Sequence, residues 1–409
     1  MALLGSGLAQ TSPVLAKIAL PVATTAPNHY DLTLTEGSFS AGGEVAPQIA
    51  INGGFPGPNL VLRQGQAVTI TVTNRLTRET SIHWHGLLIP PAMDGAVGFN
   101  RFKAIGAGET FTYSFTPRHS GTYWYHSHTG LQEQEGLYGA ITILPPLAEQ
   151  RSQPLSRDLV AVISDRFAGS AEQGLANSIK NAAAMGGMQG NSESSLDDPH
   201  AGHQIDSADQ LDPGLLAMTR DLADAQGLEF LVNGEPANQP QSFIYKNGER
   251  LRLRLINAAG NSIFDLWVQG LPMTIIAVDG AAVKPVTVDE FRFMPGQTYD
   301  ILVTPTAGLV YPLIAESIDR SGRAVAVITP REGLDYSLPP TREKTRLSDA
   351  DFSDQFVEKM DWTPTPSSSG HEGHMTGMED MEDMDSMAGM DDMGTMAGKV
   401  GMGDTSTAD

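Results

Sequence analysis

His83-Trp84-His85-Gly86 and His126-Ser127-His128 decide how this chain is read. In an extended segment, residues i and i+2 leave the same face of the strand, so each pair directs two imidazoles toward one point. The residue between them then faces the other way, and Trp84 is expected to pack. Two such strands bring four nitrogen donors together, a set that suits copper or zinc; among divalent ions a nitrogen site generally favours copper. One His-x-His alone fits a buried structural pair or an exposed strand edge equally well. Two pairs in aromatic-rich strand sequence point to a metal. No cysteine occurs in the 409 residues, which removes disulfides, thiolate zinc sites, Cys nucleophiles and any blue-copper site, since that needs a Cys beside two His.

Outward from these pairs the apolar residues alternate: Val68, Ile70 and Val72, then Phe111, Tyr113 and Phe115, then Ile141 and Ile143. A period of two with one polar face predicts half-buried strands. Between them, Asn52-Gly53-Gly54-Phe55-Pro56-Gly57-Pro58 and Gly106-Ala107-Gly108 cannot continue a helix or a central strand. Residues 28–147 are therefore expected to form a first all-β unit, closed by Pro145-Pro146. A second alternating set starts at Leu159-Val160-Ala161-Val162-Ile163 and resumes with Leu251, Leu253 and Leu255, Ile275 to Val278, Ile301 to Val303 and Ala324 to Ile328. Short strands separated by turns predict a second sandwich or barrel over 155–335. A partly helical insertion interrupts it at 168–227. Arg250 to Arg254 alternates Arg and Leu and reads as an outward charged strand face.

Both ends differ in character. Residues 1–27 read as a signal remnant or a disordered segment: Ala2 to Ala26 is Ala- and Leu-rich, but no basic region precedes it, and Lys17 and Pro21 interrupt it. No stretch approaches the ~20 apolar residues that span a bilayer, so no membrane span is expected. Residues 340–409 are rich in Met, Asp and Gly and are expected to be disordered. There Met375, Met378, Met381, Met384, Met387, Met390, Met393 and Met396 recur every third residue. On an α-helix that spacing drifts ~60° per step and makes no stripe. In a polyproline-like chain of about three residues per turn, the thioethers would share one side. Thioethers are soft ligands, so this run, with His371 and His374 ahead of it, is a candidate Cu(I) or Ag(I) site; the alternative is a low-complexity linker.

The formal net charge of -22 disfavours nucleic acid and anionic membranes and favours attraction of cations. Hydrolase and nucleotide readings find no Gly-x-Ser-x-Gly elbow, phosphate loop or His-Glu-x-x-His zinc motif.

The string His83-Trp84-His85-Gly86-Leu87 resembles the first domain of multicopper oxidases, together with Gly121-Thr122-Tyr123-Trp124-Tyr125-His126-Ser127-His128, Gly136-Leu137-Tyr138-Gly139-Ala140 and Asn52 through Pro58. Met93-Asp94-Gly95 and Gln132-Glu133-Gln134-Glu135-Gly136 look like the bacterial copper-resistance, laccase-like branch, and Phe230 through Arg331 is similar to its second domain. The Met-rich segment resembles that branch's linker. The resemblance implies an all-β fold of tandem cupredoxin-like Greek-key β-sandwiches and copper as cofactor. It also implies a periplasmic location and cuprous or phenol oxidation coupled to reduction of dioxygen. Carried over by motif, His83 would bind the type 2 copper, His85 and His126 one copper of the type 3 pair, and His128 the other. Asp94 matches an acidic residue near the cluster, where a carboxylate orients waters or imidazoles; Asp94-Gly95 also reads as an ordinary turn pair.

The family's third domain carries a His-x-x-His-x-His run and a His-Cys-His segment, and neither pattern occurs in this sequence. His29, His119, His200, His203, His371 and His374 lack that spacing. The expectation is a truncated or split oxidase that supplies half of the trinuclear site and no type 1 site. Turnover would then require a third cupredoxin domain on another chain. The alternative is a non-enzymatic periplasmic copper-binding or buffering protein.

Overall fold

The computed structural model describes residues 28–41, 44–98, 102–147, 157–185, 225 and 227–343. The first sandwich comprises β1 (His29–Ala41), β2 (Glu44–Ile51), β3 (Gly57–Arg63), β4 (Val68–Asn74), β5 (His83–His85), β6 (Thr110–Phe115), β7 (Gly121–His126) and β8 (Tyr138–Leu144). One sheet runs β2-β1-β4-β6 and the other β3-β8-β7-β5. The alternation predicted from sequence builds the interior: Val68, Ile70 and Val72 are buried on β4 while the threonines between them are half-exposed. The two inner faces meet around Trp84, Tyr113 and Tyr125, all fully buried. Burying one large aromatic of this kind contributes about 2–3 kcal/mol from apolar area alone.

The second sandwich comprises β9 (Arg157–Phe167), β10 (Leu228–Val232), β11 (Glu235–Pro236), β12 (Gln241–Ile244), β13 (Leu251–Asn257), β14 (Phe264–Val268), β15 (Met273–Val278), β16 (Ala281–Val288), β17 (Glu290–Phe293), β18 (Thr298–Val303), β19 (Tyr311–Ser317) and β20 (Arg323–Thr329). Its sheets run β11-β10-β9-β13-β18-β15-β16 and β12-β20-β19-β14-β17. The pairing order of the first sandwich recurs. β1 is parallel to β4 and β4 antiparallel to β6, as β9 is to β13 and β13 to β18. Likewise, β3-β8-β7-β5 matches β12-β20-β19-β14, each set starting with one parallel pair. Helix α1 (Ala171–Met185) follows β9 inside the expected insertion. Among the described residues, no helix is long and apolar enough to cross a membrane. Residues 1–27 and the methionine and histidine run from His371 to Met396 lie outside the described residues, as do His200 and His203.

Two sequence expectations fail for one physical reason. β7 is buried along its whole length and β8 along all but its last residue, although alternation predicted half-burial. Arg254, predicted to face outward, is only 2% exposed. The second sandwich docks on the outer face of the β3-β8-β7-β5 sheet, so both faces of β7 and β8 are covered. A satellite core of Trp124, Tyr138, Ala140, Val162, Ile256 and Ala258 fills the contact. Polar links frame it: Tyr138 donates its hydroxyl to Ser164 Oγ (2.6 Å), and Thr298 Oγ1 donates to the Thr122 carbonyl (2.9 Å). Arg254 donates to Thr122 Oγ1 (2.8 Å) and to Asp158 (2.6 Å), which pairs its buried charge rather than leaving it in a low dielectric.

Candidate metal centre

His83 and His85 flank Trp84 on β5, and β5 pairs antiparallel with the end of β7 so that His83 lies opposite His126 and His85 opposite Trp124. Trp84 enters the core, as the period of two requires. The imidazoles therefore leave the outer face. One ring nitrogen each from His83, His85 and His126 falls within 4.8 Å of the others. His128, just past the strand end, brings its ring centroid to 5.5 Å from that of His83 and 5.9 Å from that of His126. It is not one of the three that share the 4.8 Å cluster.

The outward nitrogens are assigned by what holds the others. His83 Nδ1 donates to the Asp94 carbonyl (2.9 Å), with the Asp94 carboxylate 3.4 Å away. His126 Nδ1 donates to the Ser127 carbonyl (2.9 Å) and faces Glu133 Oε2 at 2.8 Å. Because a carbonyl only accepts, the proton sits on Nδ1 in both rings and Nε2 keeps its lone pair. The Asp94-Gly95 turn that supports His83 requires its glycine: φ is +80°, and a Cβ there would lie 1.7 Å from the Ile82 carbonyl oxygen.

His85 Nδ1 and His126 Nε2 face one another at 3.3 Å. Two nitrogens bound to one tetrahedral ion at about 2.0–2.1 Å are separated by roughly 3.3–3.4 Å, so the pair fits a shared metal. Charge state fits as well. Burial, then the neighbouring His126, His83 and His128, pushes the His85 imidazole down to about 3, and burial foremost lowers His83. Both rings are neutral near pH 7, the form that ligates.

Sequence reasoning missed two groups here. Glu133 reaches His126 from the turn that folds back after His128, and no spacing rule announces such a contact. Trp124 stacks on both His126 and His85. Its position, two residues before His126 on the same strand face, was the available signal.

Sequence comparison adds to the geometry. Multicopper oxidase family models match residues 33–148 and 207–333. Copper resistance protein A of Escherichia coli is 37% identical over 343 residues, covering 82% of this chain and 56% of that protein. The copper resistance protein A homolog of Pseudomonas syringae pv. tomato is 37% identical over 327 residues, 78% of this chain and 54% of that one. The chain thus spans about half the length of these relatives. The crystal structure of a blue copper oxidase from Nitrosomonas europaea superposes with a TM-score of 0.53 at 23% identity, covering 74% of this chain and 85% of that one, a likeness of fold. The chain belongs to the multicopper oxidase family. Within that family it stands with the bacterial copper-resistance proteins, and copper is the family's cofactor.

Proposed function

We propose that these residues furnish the first-domain half of a trinuclear copper site in a periplasmic copper-resistance oxidase. The carrying observation is the His83, His85 and His126 cluster, with two nitrogens facing at the separation one ion imposes. In this reading His83 holds the type 2 copper, His85 and His126 share one copper of the type 3 pair, and His128 binds the other. Bound copper supplies one-electron redox chemistry and a site for dioxygen, coupled to oxidation of cuprous ions or phenols. The protein's own part is preorganisation. Asp94 and Glu133 fix two imidazole tautomers, and the low proton affinity of His85 keeps its ring available.

The 409 residues contain no cysteine, so in this proposal a Cys-bound type 1 copper and the remaining cluster imidazoles would be supplied from outside these residues, by a third cupredoxin domain. The purified protein is expected to bind copper yet show no phenol or cuprous oxidase turnover. A complementing third domain should restore that turnover. Copper-dependent turnover by these residues alone would contradict the assignment.

A second reading rests on the methionine repeat. Met375, Met378, Met381, Met384, Met387, Met390, Met393 and Met396, with His371 and His374, would collect Cu(I) or Ag(I) in a buffering role that needs no turnover. Titrating the full chain with Cu(I), against a variant with those methionines replaced by leucine, separates the two. Equal uptake by both would remove the buffering role.

A further inference from the structure

Trp124 is 3% exposed and lies in the contact between the sandwiches. A buried aromatic at a domain contact is ordinarily filler, but this one lies against two imidazoles of the cluster. Its ring centroid is 4.2 Å from that of His126 with planes 17° apart, and 4.8 Å from that of His85 with planes 30° apart. A flat surface against both rings restricts the torsion that swings each imidazole. The indole is in turn held from the second sandwich, because Nε1 donates to the Gly296 carbonyl at 3.3 Å.

Gly296 belongs to the turn between β17 and β18 and is fixed by its own N–H to the Asn257 carbonyl (2.9 Å). The buried Asn257 side chain donates to the Ser262 and Phe293 carbonyls (3.1 and 3.0 Å), tying that turn to the second core. Gly296 also closes on His85 directly. At φ +81°, a Cβ there would stand 3.2 Å from His85 Cε1 and Nε2, tight enough to push the ring.

We propose that Trp124 is a positioning residue for the copper half-site: clamped through Gly296, it sets the planes of His85 and His126 so that their facing nitrogens meet a single ion. The second sandwich, from which the cluster takes no imidazole, thereby templates ligands carried by the first. This rests on the copper reading above.

The test uses the full chain, Cu(II) affinity measured by chelator competition, and the Cu(II) electron paramagnetic resonance spectrum. Trp124→Leu is expected to weaken binding about 10- to 100-fold, the usual effect of losing a group that orients ligands, and to change the spectrum. Trp124→Phe keeps a stacking face but loses the bond to the Gly296 carbonyl, so it should weaken binding and shift the spectrum less than Trp124→Leu does. Gly296→Ala leaves the indole in place but displaces His85, so it should alter the spectrum and weaken binding about 10-fold. Tyr138→Phe is the control: it removes the bond to Ser164 across the same contact and should lower thermal stability with no change in copper binding. A folded Trp124→Leu variant with wild-type affinity and spectrum would overturn the proposal. Should that variant not fold, a folded Trp124→Phe protein unchanged in both readouts would overturn it, because the bond to Gly296 would then be lost without effect. Failure of the wild-type protein to bind Cu(II) through imidazole would instead remove the copper reading itself.

Discussion

His126 does more than one job because its two ring nitrogens are spoken for differently. Nδ1 is held by Ser127 and Glu133, and Nε2 faces His85. A carboxylate behind a ligand imidazole orients it and raises its basicity. Glu133→Ala should therefore weaken Cu(II) binding about 10-fold, while Glu133→Gln, which preserves an acceptor, should weaken it less; a competition titration ranks the two. His83 and His85 were legible as a pair because i and i+2 on a strand share a face, and His126 joins them from the end of β7, whereas His128 lies past the strand end, where that rule stops. Glu133 was not legible, since its contact depends on a turn folding back. Asp94 was legible only in part: its proximity to His83 came from resemblance, and the backbone carbonyl as the nearer acceptor is a matter of three-dimensional placement.

At the scale of elements, β5 and β7 deliver the ligands, and their setting depends on the turn under His83. Gly95→Ala forces a side chain into both a left-handed backbone conformation and the Ile82 carbonyl. The expected loss is more than about 2 kcal/mol of stability, measured by denaturant unfolding. The short β5 should lose its placement first, so Cu(II) affinity should fall more than in a variant of equal stability altered elsewhere. The strands themselves were readable from Val68-x-Ile70-x-Val72 and its like. What period two could not reveal is that β7 and β8 have no solvent face, because a second domain supplies the cover.

The whole molecule repeats one pairing scheme twice and uses the repeated place differently. On the outer face of β14 and β19, which correspond to β5 and β7, Asp265 lies opposite Glu316 where the first sandwich sets His83 opposite His126. Those carboxylates are met by arginines: Arg320 and Arg292 bind Asp265 (2.7 and 3.0 Å), and Arg323 binds Glu316 (3.2 Å). Arg342 stacks on Trp267 at 4.4 Å, while Arg323 holds the Pro339 carbonyl (2.8 Å). The equivalent place in the second sandwich is thus filled by the chain's own ion pairs and, among the described residues, has no imidazoles. Burial works to raise the Asp265 carboxyl, yet the bonds from Arg320 and Arg292 outweigh it and hold it below the usual carboxylate value. A lowered folded value gives stability that is present above the unfolded carboxylate pKa, near 3.9, and lost as pH falls through the folded one. Unfolding free energy should therefore decline below about pH 4, with a shallower decline in Asp265→Asn; identical acid profiles would refute this role. The sequence offered Arg320 and Asp265 no visible relation, since their pairing exists only after the sandwich closes.

The most direct test of the copper assignment is pulsed electron paramagnetic resonance on the full chain loaded with Cu(II), in a His371→Ala/His374→Ala background that removes the tail imidazoles. The account predicts coupling to more than one imidazole nitrogen, lost or reduced to a single coupling in His126→Ala. Cu(II) without imidazole coupling, or a His126→Ala spectrum identical to its parent, would contradict it.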